Sequence, residues 1–516
     1  MPSLISQRVL GQNNIALNTS LERLSTGLRI NRGKDDPAGL IASENLRSEK
    51  VAISAAIKNA ERADQVVNIA EGGLNEISAL LTEVQSLLTQ TANDAGLSDE
   101  EREANQLQID SILQTIDRVA GATSFQGSKL LNGNLDYNIS NVDGVISKNN
   151  VNGAKLNFNG TRDVDVLVTA SAQLAGYFVS LGGALDLASN NDQFVLEIAG
   201  ALGARELSFA SGAEIADIVS AINTFTDVTG VNATASGTGF RLDSSEFGND
   251  QFVSIKVVDD AGLNTAVASA GIYSLSAGDT DVLASTTPAA IFDSVDATNG
   301  LTDFGQDVEA TINGIVATTR GRTVRINTDF LDVELELAFD RNNSSAAVLG
   351  LVNAFTITGG GADFQLASRV DIAGKVPIGI GNVAVRELGI TDARVFNESG
   401  NPVTERYSLA DFAAGKDLNL IDGNLSAGQQ VIDEAIREVS SLRGRLGAFQ
   451  SNTVGATIRS LGISLENTAA AESLIRDTDF ASETAGLTRA QILSQSAQTS
   501  LQLANTQPQN VLQLLG

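Results

Sequence analysis

Between Pro37 and Pro288 the chain contains no proline, and early in that stretch Leu74, Ile77, Leu81, Val84 and Leu88 follow one another in steps of three and four. Ile53, Ile57, Ala60 and Val67 carry the same stripe upstream. A 3.5-residue apolar period makes one narrow seam along a helix, and without proline nothing forces a kink. The pattern predicts a helix from about residue 43 to 92, roughly 75 Å long at 1.5 Å per residue. Gly72-Gly73 is its weak point, each glycine costing about 1 kcal/mol relative to alanine. Ser98-Asp99-Glu100-Glu101 then reads as a new helix start, with a serine cap, a glutamate three residues on and acids over the positive end of the dipole. That helix runs to about Ala120, with Ile109, Ile112, Leu113, Ile116 and Val119 on one side. So narrow a stripe cannot close a core alone; it needs partner helices.

The other end of the chain supplies them. Ile432, Ala435, Val439, Leu442, Leu446 and Phe449 form a second seam, which Ile458, Leu461 and Leu465 continue. The region between differs in kind. Phe194–Ile198, Phe252–Val258 and Val333–Phe339 alternate or run apolar at strand length, separated by turn signals such as Gly248-Asn249-Asp250. One short amphipathic helix is expected at about 213–224. Charge follows the same division: residues 140–420 hold 16 Lys/Arg against 35 Asp/Glu, so −19 of the net −28 sits there. The predicted fold class is α+β multidomain: N- and C-terminal helical coiled-coil arms packed together, with a β-rich middle insert of one or two outer domains.

Composition removes most chemistry. The chain has no Cys, His or Trp, which excludes thiolate nucleophiles, histidine-dependent triads, Cys/His zinc sites and disulfides. The acid excess argues against nucleic acid, which needs a clustered basic face, and no apolar run approaches the ~18 residues of a membrane span. Asp35-Asp36 and Asp477-Thr478-Asp479 are paired carboxylates without a third ligand in register, so a helix-start or subunit-contact role is expected. Gly379-Ile380-Gly381-Asn382-Val383-Ala384 satisfies a dinucleotide-binding spacing, but strand-like Val383-Ala384-Val385 follows where a helix should begin. No catalytic, cofactor-binding or metal site is assigned, no cofactor is expected, and the chain reads as a non-enzyme. Arg23, Arg29, Arg32 and Lys34 form the main basic run and are expected to pair with acids on a neighbouring subunit. The start, Met1-Pro2-Ser3-Leu4-Ile5-Ser6-Gln7-Arg8, lacks a signal-peptide pattern, which by that criterion alone indicates the cytosol.

Both ends are amphipathic, nearly uncharged and rich in Gln, Asn and Ser. Alone they offer too little core to offset their ordering entropy; against copies of themselves they make sense. Here the residues resemble a family, bacterial flagellin. Leu21-Glu22-Arg23-Leu24-Ser25-Thr26-Gly27-Leu28-Arg29-Ile30-Asn31, followed by Lys34-Asp35-Asp36-Pro37-Ala38-Gly39-Leu40, is similar to the flagellin signature. So are Phe125-Gln126-Gly127-Ser128-Lys129-Leu130-Leu131, Asp477-Thr478-Asp479-Phe480-Ala481 with Arg489-Ala490-Gln491-Ile492-Leu493, and the final Gln509-Asn510-Val511-Leu512-Gln513-Leu514-Leu515. In the middle, Ser236–Leu242 with Glu246–Ser254 resembles an insert module seen in some flagellins and hook-associated proteins.

The resemblance implies a structural subunit that polymerises through its terminal helices into the flagellar filament for motility. Alternatives are a hook–filament junction (hook-associated) protein, against which the ending speaks, and a secreted enzyme domain carried on flagellin arms. It implies terminal assembly segments at 1–42 with 470–516, a helical bundle plus β-hairpin region at 43–176 with 362–469, and variable outer domains at 177–361. The implied assembly interface comprises Leu24, Leu28, Arg29, Ile30, Asp35 and Asp36 at one end and Ile492, Leu493, Leu501, Val511, Leu512, Leu514 and Leu515 at the other. Implied partners are other copies of the chain, hook-associated and cap proteins, a flagellar secretion chaperone and the type III export apparatus, with neither nucleic acid nor membrane among them. The implied location is extracellular, in the filament, reached without a cleaved signal peptide, in place of the cytosol. Glu83 stands where receptor-recognised flagellins carry arginine, so weak or absent recognition by the innate receptor is expected; signalling by purified monomer at low nanomolar concentration would overturn that.

Overall fold

The computed structural model describes residues 2–93, 96–157, 160–187, 192–263, 270–275, 287–338, 349–396 and 402–515, with side chains except at 2, 393–396, 402–404 and 507–515. Helices α1 (Pro2–Thr26), α2 (Pro37–Thr91) and α3 (Asp99–Ala122) open the chain. Among the strands lie α4 (Ile215–Asn223), α5 (Thr226–Thr229) and α6 (Val295–Asn299). Helices α7 (Leu425–Ala448), α8 (Gly455–Arg476) and α9 (Phe480–Leu515) close it.

The long helix starts six residues before the expected position, because proline at the first turn needs no N–H partner there and Asp36 caps it: Gly39 N donates to Asp36 Oδ1 at 2.9 Å. It continues through Gly72-Gly73 unbroken. The Ser98 capping box is present in full, Glu101 N donating to Ser98 Oγ and Ser98 N to Glu101 Oε2. Between α7 and α8 the six residues Phe449–Val454 wind as a π-helix.

The chain forms two compact units. The first comprises residues 1–68, 364–376 and 445–516, and the second 69–363 and 377–444. In the second, Leu74, Ile77, Leu81 and Val84 of α2, Ile109 and Ile116 of α3, and Val431, Ile432, Ala435 and Val439 of α7 are all buried to within 1%. Polar bridges tie the helices at their edges: Asn105 Nδ2 donates to Thr91 Oγ1 at 3.1 Å, and Arg443 Nε reaches Glu71 Oε1 at 2.9 Å.

Two β-cores share that second unit. One lies between a five-stranded sheet (order Ile315–Val316, Glu309–Ile312, Arg162–Ala170, Gly350–Gly360, Tyr137–Ser140) and a four-stranded sheet (Thr318–Arg320, Thr323–Asn327, Leu331–Leu337, Ile146–Ala154). Period-2 alternation drives this, with Val164, Val166, Val168 and Val333, Leu335, Leu337 pointing inward. The sandwich takes strands from both sides of the boundary expected at 176/177, pairing 137–170 with 309–360. Arg162–Ala170 is flanked by Glu309–Ile312 and Gly350–Gly360, and sequence pattern does not say which distant strands pair. The other core joins two four-stranded antiparallel sheets and α4 around Phe194, Phe240, Val253, Ile255, Ile218 and Ile222. It contains the expected strands near 194 and 252 and the helix expected at 213–224. The strand expected to reach Phe339 ends at Leu337, and Phe339 lies outside the described residues. Val383-Ala384-Val385 forms turns instead of a strand, and no helix follows the glycine motif.

Candidate assembly interface

In the first unit α1 and α9 run antiparallel. Ser3 Oγ donates to Asn505 Oδ1 at 2.9 Å, Ser494 Oγ to Asn14 Oδ1 at 2.9 Å, and Asn13 Nδ2 to Leu493 O at 3.1 Å. Arg23 Nη1 stands 3.7 Å from Glu483 Oε2. The buried and half-buried positions of α9, among residues whose side chains are described, are Glu483, Gly486, Leu487, Ala490, Ser494, Ala497, Leu501 and Ala504. Those of α1 include Ser3, Ser6, Leu10, Asn13, Leu17, Ser20 and Leu24. Gly486 aside, both sets step by three and four, the coiled-coil period. The hydrogen bonds set a register in which Leu10 stands across from Ala497, Leu17 from Ala490 and Asn13 from Ser494.

The seam thus alternates leucines with small and polar residues, while other large apolar side chains point away from it. Leu4 (67% exposed), Ile15 (68%), Ile492 (58%) and Leu503 (65%) lie bare on the outer faces, with Ile5, Val9, Leu21 and Leu493 beside them. Isolated exposed leucines are ordinary, but a run of them along both helices of a pair marks a surface made to be covered. Leu474, at 82% exposure on α8, extends the pattern.

The expected interface residues divide accordingly. Ile492 and Leu493 are on the outer face. Leu24 and Leu501 are half-buried in the seam, Ile30 is buried, and Leu28 forms an antiparallel bridge with Asp477. Arg29 N donates to Arg476 O and its Nη2 to Ile475 O, both at 2.7 Å. Asp35 Oδ2 accepts from Arg32 N at 2.8 Å and Asn31 N at 3.2 Å, and the Arg32 bond leads in holding this carboxyl below its usual range. Asp36 caps α2, and Asp479 caps α9 through Ala481 N at 3.0 Å. Val511, Leu512, Leu514 and Leu515 belong to α9, but their side chains lie outside those described.

In the basic run, Arg23, Arg29 and Arg32 have partners inside the chain: Arg23 faces Glu483 of α9, Arg29 the 475–476 carbonyls at the end of α8, and Arg32 Nη2 lies 2.9 Å from Glu22 Oε1 of α1. Sequence reasoning missed Asn13, Asn14, Ser494 and the ion pair Lys50–Glu472. The signal was present in the three-four spacing of α9, legible once serine and alanine are counted as seam residues. Glu83 is exposed on α2 and accepts from Gln108 Nε2 at 2.7 Å. Among the described residues no cluster of acids forms a metal site and no helix is long and apolar enough to cross a membrane.

Fold and surface define a class: a helical-armed subunit that associates through its ends and carries β-sandwich bodies between them. The pattern of the bacterial flagellin N-terminal helical region matches residues 1–136, that of the C-terminal helical region 429–515, and the flagellin hook IN motif 193–245, together more than half the chain. Flagellin of Salmonella typhimurium is 28% identical over 549 residues, spanning 99% of this chain and 98% of that one. Flagellin A of Helicobacter pylori is 27% identical over 99% of this chain and 97% of its own. Among solved structures, FliC from Burkholderia pseudomallei matches at 13% identity and a TM-score of 0.26, over 75% of this chain and 99% of that one. The chain belongs to the bacterial flagellin family, a family of filament-forming structural proteins.

Proposed function

We propose that this chain polymerises through α1 and α9 into the flagellar filament, outside the cell, as a structural and non-catalytic subunit for motility. One observation carries the reading: the arm pair closes its internal seam with a few leucines among small and polar residues and leaves Leu4, Ile5, Ile15, Ile492, Leu493 and Leu503 exposed. Neighbouring copies cover that surface, and Val511, Leu512, Leu514 and Leu515 take part in the same assembly. Leu24, Leu28, Arg29, Ile30, Asp35 and Asp36 act mainly by shaping each arm and its junction. The terminal segments, 1–42 with 470–516, form the inner core. The sandwich around Val166 and Leu335 and the core around Phe240 form successive outer bodies, and the acid excess of 140–420 favours their facing water.

The same reading includes hook-associated and cap proteins as partners, a secretion chaperone, and export through the type III apparatus without a cleaved signal peptide. It is supported by the resemblance of both ends to the family. Removing the last ~30 residues, which takes away most of one arm and its ordering contacts, should leave a soluble, largely folded monomer unable to polymerise. Electron microscopy after seeding or salting out decides it, and long filaments from the truncated chain would refute the reading.

A further inference from the structure

The insert motif at residues 246–254 divides in two in the fold. Val253 enters the core around Phe240, whereas Phe247, Gly248 and Asn249 turn the other way, onto the sandwich around Val166. The chain passes between these two bodies twice, and the crossings pair at a single antiparallel bridge, Gln173 with Gln306. Bodies joined by so narrow a ribbon move relative to one another by default. A third contact lies off that ribbon. The Arg322 guanidinium stands 5.2 Å from the centre of the Phe247 ring, while its Nη2 donates to Glu336 Oε1 at 2.6 Å and its Nη1 to the Leu337 carbonyl at 3.2 Å. The cation is thus fixed on the sandwich and offers the ring a rigid flat face. Asp307 Oδ1 accepts from Gly321 N of the sandwich at 2.7 Å and from Asn249 N of the other body at 3.2 Å, so one carboxylate oxygen spans the joint. Both backbones approach too closely for a side chain. A Cβ on Gly248 (φ +120°) would stand 2.6 Å from Asp307 Oδ1 and 3.1 Å from Gly321 Cα, and one on Gly321 (φ +54°) 2.8 Å from the Phe247 carbonyl oxygen. On its own body the loop is held by Ser244, which is fully buried and donates to Glu246 O at 2.8 Å. Arg320 and Asp250, 3.4 Å apart and exposed, pair at the rim and add little.

We propose that Phe247, Gly248 and Asn249 with Asp307, Gly321 and Arg322 form a lock that holds the Phe240 core and the sandwich as one rigid body, and that the crossing strands alone would leave a hinge. Each body closes its own core: Val253 and Ile255 on one side, Val166 and Val333 on the other, are fully buried. The lock therefore sets orientation and leaves folding to the cores. It goes beyond the filament reading and does not depend on the arms, which lie outside both bodies.

The chain has no cysteine, so two introduced ones carry spin labels without background. Thr298→Cys on the Phe240 core and Asn353→Cys on the sandwich, both at exposed positions, report the separation of the two bodies in the full soluble chain by electron–electron double resonance. With the lock intact the distances should form one narrow distribution. Phe247→Ala with Arg322→Ala removes the stacked pair, and Gly248→Val forces the backbones apart with that pair still present. In each the distribution should broaden roughly twofold, as for bodies released to move. Amide exchange at Val166 and Ile255 should stay protected, because each core closes on its own. A distribution as narrow as the parent's in both variants overturns the lock, since the crossing strands then suffice. Loss of protection in both cores in both variants overturns it too, because the contact would then belong to folding and not to orientation. Labels on the soluble chain decide the lock and filament formation decides the reading of function, so either can fail alone.

Discussion

The two adjacent glycines of α2 look alike in sequence and differ in the fold. Gly72 is exposed, and a Cβ added there meets nothing within 4 Å. At Gly73 the same atom would stand 2.7 Å from Thr123 Oγ1 and 2.8 Å from Leu131 Cδ1, where Leu131 is fully buried and the Thr123 hydroxyl is held by Val119 O. Gly72→Ala should therefore stabilise by about 1 kcal/mol through helix propensity alone. Gly73→Ala gains the same but adds an overpacking cost of about 1–3 kcal/mol. Thermal melts followed at 222 nm should move the first variant up and the second down; equal upward shifts would mean that the α2–α3 contact is looser than these distances. Sequence reading saw two equal weak points, because close approach by Thr123 and Leu131 is a tertiary fact that no local pattern carries. The Asp36 and Ser98 caps were legible, since capping depends on residues only a few positions apart.

At the scale of the element, the seam of the C-terminal helices contains one irregular step. Buried positions run Leu442, Leu446, Phe449 and then Val454, a gap of five where three or four is the rule. The π-helix at Phe449–Val454 absorbs that extra residue, so that Ile458, Leu461 and Leu465 return to the half-buried side. Gln450 uses the widened turn to donate to Asp64 Oδ1 at 2.8 Å and Asn68 Oδ1 at 2.9 Å. Deleting exposed Ser451 should thus restore an ordinary α-helix and leave the melting profile nearly unchanged. Deleting exposed Ser441, inside the regular part of α7, rotates everything beyond it by ~100° relative to the seam and should unfold the helical region. Circular dichroism of the two deletions distinguishes them, and equal tolerance would show that seam phase does not govern the packing. The irregular gap is written in the sequence, yet reading 449 and 458 as one continuous stripe conceals it. Strand positions in the middle were similarly legible, whereas their partners across 176/177 were not, because period-2 alternation fixes a face and leaves the neighbour open.

For the whole molecule, burial of ionisable groups predicts on which side of neutrality the fold fails. Tyr137 is 7% exposed and bonded to Ala154, and burial is the main reason its phenol is pushed from the usual 10.0 to about 12. Tyr177, 5% exposed, is raised to about 12, first by burial and then by the charge of Asp303. Lys148 lies 2.6 Å from Glu434 and 2.5 Å from Glu438; burial works against its charge, but the two carboxylates outweigh it and hold its pKa above the usual 10.5. All three pKa values are raised on folding, so the stability they contribute is complete below the unfolded values and is lost as pH rises through the folded ones. The window runs from about pH 10 to about pH 12, and the net charge of −28 adds self-repulsion in the same direction. With four tyrosines and no tryptophan, phenolate absorbance near 295 nm reads this cleanly. At least two phenols should fail to ionise near pH 10 and then appear between pH 10 and 12 together with the loss of ellipticity at 222 nm. If all four ionised in one step near pH 10 with the helices intact, the cores around Val166 and Phe240 would be open to solvent and would not be the closed sandwiches described.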